Sequence, residues 1–247
     1  MTLEKQIFEV GGCVRDEILG VHTKDIDFTY VVNDKSLSVE QGFSNMKEHL
    51  ANEGFKTFLE TPDCFTIRAM FPKDHEHKGL VADFVMARKE VGYIPGTRRP
   101  TLELGSLHDD LSRRDFTVNA IAKSLTGEII DPFGGRQDIE RKVLTTPLDP
   151  TVTFLDDPLR VLRGLRFSIT KGFEIDGRCL GTMFTTPVID KLTDVVSGER
   201  IREELTKMFK HDSVRSLRLL SDVDKLNPKF TKAIFKEGIW LMPTMKH

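Results

Sequence analysis

Val10-Gly11-Gly12-Cys13-Val14-Arg15-Asp16 and, a few residues on, Asp25-Ile26-Asp27 organise the remainder of the 247-residue chain. Two glycines without a Cβ let a backbone turn come close to a bound group. A short helix is expected from the second glycine through Arg15, Asp16 and Ile18, stopping at Gly20. The unpaired backbone N–H groups of such a turn and helix start form an anion site. Ile26 to Val32 reads as a strand, and alternation along it sets Asp25 and Asp27 on one face. Two carboxylates beside a phosphate-cradling turn are what a Mg²⁺-dependent phosphoryl-transfer site requires.

Working outward, Ser38 with Gln41 forms a capping-box pattern, and Val39, Phe43, Met46 and Leu50 fall at helical spacing, so a helix is expected over 38–52. Phe55 to Leu59, Phe65 to Phe71 and Leu80 to Ala87 read as strands, the last carrying Asp83. Lys89 to Leu107, with Gly92, Pro95, Gly96 and Pro100, reads as a mobile loop long enough to serve a function. Asp115 to Leu125 is apolar and should pack on the sheet. The turn Asp131 to Gly135 is the expected boundary between a domain over 1–135 and another over 136–247. Beyond it helices are expected over 138–143, 156–169, 178–184, 198–209 and 213–220. Strands first and helices after imply an α+β head followed by an all-helical extension.

Composition limits the function classes. A hydrophobic content of 39% with 30% charged residues describes a globular chain, and no apolar run approaches the roughly 20 residues of a membrane span. Met1 to Phe8 carries charge and no apolar signal region, so no secretory leader is expected. Three cysteines, Cys13, Cys64 and Cys179, lack metal spacing and point to a reducing compartment, the cytoplasm. A formal net charge of -2 excludes a wholly basic nucleic-acid binder. Arg160, Arg163 and Arg166, with Lys207, Lys210, Arg215 and Arg218, supply either a local basic strip for RNA or a solvated helix face.

Four groups of residues carry chemistry. Asp25 and Asp27 offer oxygen ligands suited to Mg²⁺, and Asp83 on a second strand is a candidate third carboxylate or the ion partner of a nearby arginine. In Arg113-Arg114-Asp115-Phe116-Thr117-Val118-Asn119-Ala120, two guanidinium groups can hold phosphate or carboxylate, and Asp115 and Asn119, four apart on an expected helix, share a side. In Asp156-Asp157-Pro158-Leu159-Arg160-Val161-Leu162-Arg163, Asp157 and Arg160 are neighbours at i, i+3. As a carboxylate–guanidinium pair they match the edge of a cytosine or adenine. Ser197-Gly198-Glu199-Arg200 starts a charged helix that can brace that element.

In this order the motifs resemble the class II tRNA nucleotidyltransferase (CCA-adding enzyme) and bacterial poly(A) polymerase family, over nearly all of residues 7 to 210. The resemblance implies a polymerase-β-like nucleotidyltransferase head with a mixed sheet and a helical neck. Gly11, Gly12 and Arg15 would belong to the triphosphate turn, and Asp25 and Asp27 would bind the catalytic Mg²⁺, with Asp83 a further catalytic carboxylate. Arg114, Asp115 and Asn119 would recognise the ribose and steady the site. Asp157 and Arg160 would template the incoming base, with Arg163 near the triphosphate. The partners implied are the tRNA 3′ end, ATP and CTP. Residues 89–107 would correspond to the family's flexible loop.

Two departures stand out. Asp156 replaces the usual Glu, and little chain follows the neck. tRNA is therefore expected to be held differently, across a homo-oligomer, or the substrate to be smaller. The expected reaction is addition of CMP and AMP to tRNA. Its alternatives are a poly(A) polymerase, a CC-only or A-only enzyme, and a non-catalytic RNA- or nucleotide-binding protein.

Overall fold

The computed structural model describes residues 6–21, 26–75, 77–93 and 100–235, which excludes Asp25. Two compact units, Met1–Ile139 and Glu140–His247, make up the chain. The division falls inside a helix rather than at the Asp131–Gly135 turn. Asp131 accepts from the backbone N–H of Gly135 (2.7 Å) and Arg136 (2.9 Å), which starts that helix at once. Its Asp138 accepts from Thr117 at 2.6 Å, so the first turns remain tied to the first unit.

The first unit runs β1 (Ile7–Val10), α1 (Gly12–Ile18), β2 (Asp27–Tyr30), α2 (Val39–Asn52), β3 (Lys56–Thr61), β4 (Thr66–Met70), β5 (Val81–Met86), β6 (Arg88–Tyr93), β7 (Pro100–Leu104), α3 (Leu107–Ser112), β8 (Ala122–Ser124), β9 (Ile129–Ile130) and the start of α4 (Gly135–Arg141). Seven strands form one mixed sheet in the order β3-β4-β5-β2-β1-β8-β9. β2 and β5 are parallel and the other neighbours antiparallel. Ser38 closes α2 with a capping box, accepting from Gln41 N–H while its own N–H donates to the Gln41 side chain.

Strand alternation sorts the two faces. Phe28, Tyr30, Ile67, Phe84 and Met86 meet Val39, Phe43, Met46 and Leu50 of α2 in the main core. On the other face Val10, Leu111, Ala120 and Ala122 form a cluster of four buried residues. Full burial of such side chains is worth about 1.5–3 kcal/mol each, so the α2 face is the main store of stability and the opposite face is left for polar side chains.

The expected loop over 89–107 is instead, in its described part, the antiparallel hairpin β6–β7. Leu102 and Leu104, two apart, lay their side chains on the α2 core. Gly42 makes that contact available, since a Cβ there would stand 2.5 Å from Leu104. Residues 94–99 lie outside the described residues.

The second unit continues with β10 (Val143–Leu144), α5 (Pro150–Asp156), α6 (Leu159–Thr170), β11 (Glu174–Ile175), α7 (Gly177–Met183), α8 (Thr186–Val195), α9 (Gly198–His211), α10 (Ser213–Leu226) and α11 (Pro228–Ile234). It is helical apart from the short parallel pair β10–β11. The helix expected over 156–169 is α6, which starts three residues later, and Asp156 instead ends α5. Asp157 is extended at the end of α5, as a residue before proline should be, and α6 begins after Pro158. Leu162, Leu165, Ile201, Leu205 and Met208 are buried along the contact of α6 with α9. Asp149, Asp176, Ser197 and Asp212 each cap a helix through a side-chain oxygen. Among the described residues no helix is long and apolar enough to cross a membrane.

Candidate active site

Register builds the centre of the head. Arg68 on β4 stands opposite Asp83 on β5, Asp83 opposite Asp27 on β2, and Asp27 opposite Val10 at the end of β1. Register partners share a face, so a row of charge crosses three strands and ends where the chain enters the glycine turn. Adjacent strands lie roughly 4.8 Å apart, which sets Asp27 and Asp83 as near neighbours. Arg68 grips both oxygens of Asp83, Nε at 2.8 Å and Nη2 at 2.6 Å. Hydrogen bonding to Asp83, the charge of Asp83 and that of Asp27 beyond it push the Arg68 guanidinium above its usual pKa.

At the turn Gly11 has φ 78° and ψ -128°, a conformation open to glycine, and a Cβ there would lie 2.7 Å from Arg114 Nη1. Arg114 is held in that position from below. Its Nη2 donates to Asp110 at 2.8 Å, Arg113 donates to the same carboxylate at 2.6 Å, and the Thr29 hydroxyl donates to it at 2.8 Å. Burial alone would raise the Asp110 carboxyl, but the charges of Arg114 and Arg113 and the hydrogen bonds outweigh it and hold the group at about 2. On the other side Arg15, buried, donates to Asp16 (2.9 Å) and Asn119 (2.5 Å), and Asn119 donates to Asp115 at 2.8 Å. The diglycine turn is thus clamped between two arginine–carboxylate networks. Cys13 within it is buried, which pushes its thiol up.

Asp115 and Asn119 come together as the spacing implied, though on different local structure. α3 ends at Ser112, and a short 3-10 turn, Thr117–Asn119, carries the asparagine. Asp115 accepts from the N–H of Phe116 (2.8 Å) and shapes the entry to that turn. Asp110 was missed by the sequence reading. Its signal was the i, i+3, i+4 spacing to Arg113 and Arg114.

In the neck the expected Asp157–Arg160 pair is resolved into two others. Asp157 accepts from Arg200 on α9 (2.8 Å) and from the N–H of Leu159 (3.2 Å). Arg160 pairs with Asp156 (3.0 Å) and donates to the carbonyl of Thr153 (3.0 Å). The break before Pro158 causes this, because Arg160 reaches back across it to α5. Arg163 lies 4.0 Å from Glu204, which also takes Arg166 at 2.5 Å. Both arginines lie over the Phe167 ring, at 5.6 and 4.3 Å.

The family model of the poly A polymerase head domain matches residues 7–145, which carry all of the head's elements described above. The chain belongs to that family. A nucleotidyltransferase of Purpureocillium lilacinum is 35% identical over 222 residues, covering 81% of this chain and 35% of that protein. A tRNA nucleotidyltransferase of Schizosaccharomyces pombe is 33% identical, covering 85% of this chain and 45% of that one. Among solved structures, the Bacillus stearothermophilus CCA-adding enzyme in complex with CTP superposes with a TM-score of 0.68 at 28% identity, over 87% of this chain and 47% of that one. This member of the poly A polymerase head-domain family therefore spans between about a third and a half of the length of these relatives.

Nucleotidyltransferases of the family generally use a divalent metal. The donor set fits one. Asp27 and Asp83 offer carboxylate oxygens from facing strand positions, the chemistry a hard cation takes. Among the described residues no three His, Cys, Asp or Glu gather as a metal-holding group. Asp25 lies outside the described residues.

Proposed function

We propose that the chain carries a template-independent tRNA nucleotidyltransferase activity that adds CMP and AMP, from CTP and ATP, to the tRNA 3′ end. The row Arg68–Asp83–Asp27 running into the clamped diglycine turn is the observation that carries this reading. The likeness to CCA-adding enzymes supports it. The 3′ hydroxyl attacks the α-phosphorus of the nucleotide and pyrophosphate leaves. Such a reaction needs positioning and charge neutralisation more than covalent help. Mg²⁺, held by Asp27 and Asp83 together with Asp25, would activate the hydroxyl and neutralise charge on the phosphates.

The chain's own contribution is preorganisation. Arg15 through Asn119, and Arg114 through Asp110, fix the turn that receives the triphosphate, so its N–H groups need not reorganise on binding. Both arginines bond the protein itself and in that role act as struts. In the neck, Asp157 and Arg160 are assigned to reading the edge of the incoming base, with Arg163 near the triphosphate and α9 bracing them through Arg200 and Glu204. The three free cysteines favour a cytoplasmic setting.

Extension of a tRNA lacking its last three nucleotides, read at single-base resolution with each NTP alone and together, tests the reading. Addition of C, C and A is expected, and Asp27→Ala should abolish it with the fold intact. A long A tract would convert the reading to a poly(A) polymerase. Addition halting after CC, or A alone onto a CC end, would convert it to a partial enzyme. Tight tRNA binding without incorporation would make the chain a binding protein.

A further inference from the structure

Both oxygens of Asp83 are occupied by one guanidinium, and this bears on how the carboxylate pair takes a cation. Asp27 and Asp83 face each other across parallel strands, so their charges repel across roughly one strand spacing. Arg68 completes the row and offsets part of that repulsion. The fork of a guanidinium fits a carboxylate with two parallel hydrogen bonds, which leaves no Asp83 oxygen without a charged donor. A metal ion that takes an Asp83 oxygen therefore competes with Arg68 for the lone pairs and charge of that carboxylate.

The pair is built to allow this. Arg68 has a side chain 52% exposed and Asp83 one 30% exposed, and exposed pairs of this kind add little to stability. The register partner of Arg68 on its outer side is Leu59, itself 55% exposed, so this end of the row lies open to solvent. Nothing of the kind holds at Asp110, whose arginines are locked around a carboxylate 1% exposed.

We propose that Arg68 is a resident counter-ion of the carboxylate pair, exchanged at Asp83 for the divalent cation, and that it sets how tightly the pair takes metal. The proposal rests on the reading of Asp27 and Asp83 as the metal-holding carboxylates. Arg68 touches neither nucleotide nor primer in this role and is a positioning residue. With the row empty of metal it keeps Asp83 directed at the site. With metal bound it is displaced toward Leu59.

The test is equilibrium binding of Mn²⁺ to the full chain, without nucleotide or RNA, followed by the electron paramagnetic resonance signal of the free ion. Arg68→Gln removes one positive charge close to a divalent ion and should tighten Mn²⁺ binding on the order of tenfold. Arg68→Lys, which keeps the charge and loses the fork, should fall between Arg68→Gln and the unaltered chain. In an Asp83→Asn background the gain from Arg68→Gln should be markedly smaller, since the two side chains act as a unit. Unchanged or weaker binding in Arg68→Gln, or an equal gain in the Asp83→Asn background, overturns the exchange. Asp27→Asn separates the two layers of the argument. If it abolishes Mn²⁺ binding while Arg68→Gln changes nothing, the exchange alone falls. If it leaves Mn²⁺ binding unchanged, the metal assignment falls and the exchange with it.

Discussion

Beneath the glycine turn, Asp110 is 1% exposed and takes donors from Arg113, Arg114 and Thr29; on the open face of the sheet, Asp83 is 30% exposed and takes two from Arg68. The same chemical pair does different work in the two places. Inside, water cannot replace a lost partner, so the pair is permanent and transmits rigidity to the turn above it. Outside, water and ions compete for each partner, so the pair can open and exchange. The head keeps its strut and its exchangeable site on one face of one sheet, because Thr29 and Asp27, two apart on β2, point the same way.

The largest effect that can test this contrast is on the buried side. Asp110→Ala leaves two arginines without their carboxylate and should cost about 3–5 kcal/mol of unfolding free energy. Urea denaturation checks it, and a loss under about 1 kcal/mol, the range of exposed pairs, would erase the distinction. Next is Gly11→Ala, which forces a Cβ onto Arg114 at a backbone conformation reserved for glycine. It should cost about 1–3 kcal/mol in stability and weaken nucleotide binding measured by calorimetry. Unchanged binding would remove the turn from the site.

Acid gives a comparable readout without altering the turn. The folded-state pKa of Asp110, about 2, lies below its ordinary value of 3.8. Its contribution is therefore complete above roughly pH 4 and disappears as pH falls through 2, an amount of about 2 kcal/mol. Comparing unfolding at pH 7 and at pH 3 in the natural chain and in Asp110→Asn should show a flatter acid dependence in the variant, and parallel profiles would refute it. The smallest effect belongs to the neck. Arg200→Ala breaks a bridge to Asp157 that is 51% and 31% exposed on its two sides, and should change stability by about 0–1 kcal/mol. A thermal melt shifted as far as that of Asp110→Ala would place this bridge with the buried class.

Local features were legible in advance. The capping box at Ser38, the apolar stripe of α2, the stop at Gly20 and the diglycine turn depend on residues within four positions of one another, where backbone geometry alone decides who meets whom. The pairing of β6 with β7 was obscured because the glycines and prolines over 89–107 read as a loop, while Leu102 and Leu104 declare themselves only against α2. The helix break before Pro158 was readable from the proline. The resulting change of partners was not, because Arg200 arrives from a helix far along the chain.

What the amino-acid order determined by itself was the alternation of strands and helices, the glycine turn, the two faces of each strand and the family to which these motifs belong. Those follow from periodicity and from residue types at short spacing. Which strand lies beside which, and so that Asp27, Asp83 and Arg68 form one row, was decided only in three dimensions. β2 finds β5 as its parallel neighbour across an intervening helix and hairpin. A strand's pattern states which side of it is buried, but its neighbour is chosen by how the sheet closes over its core.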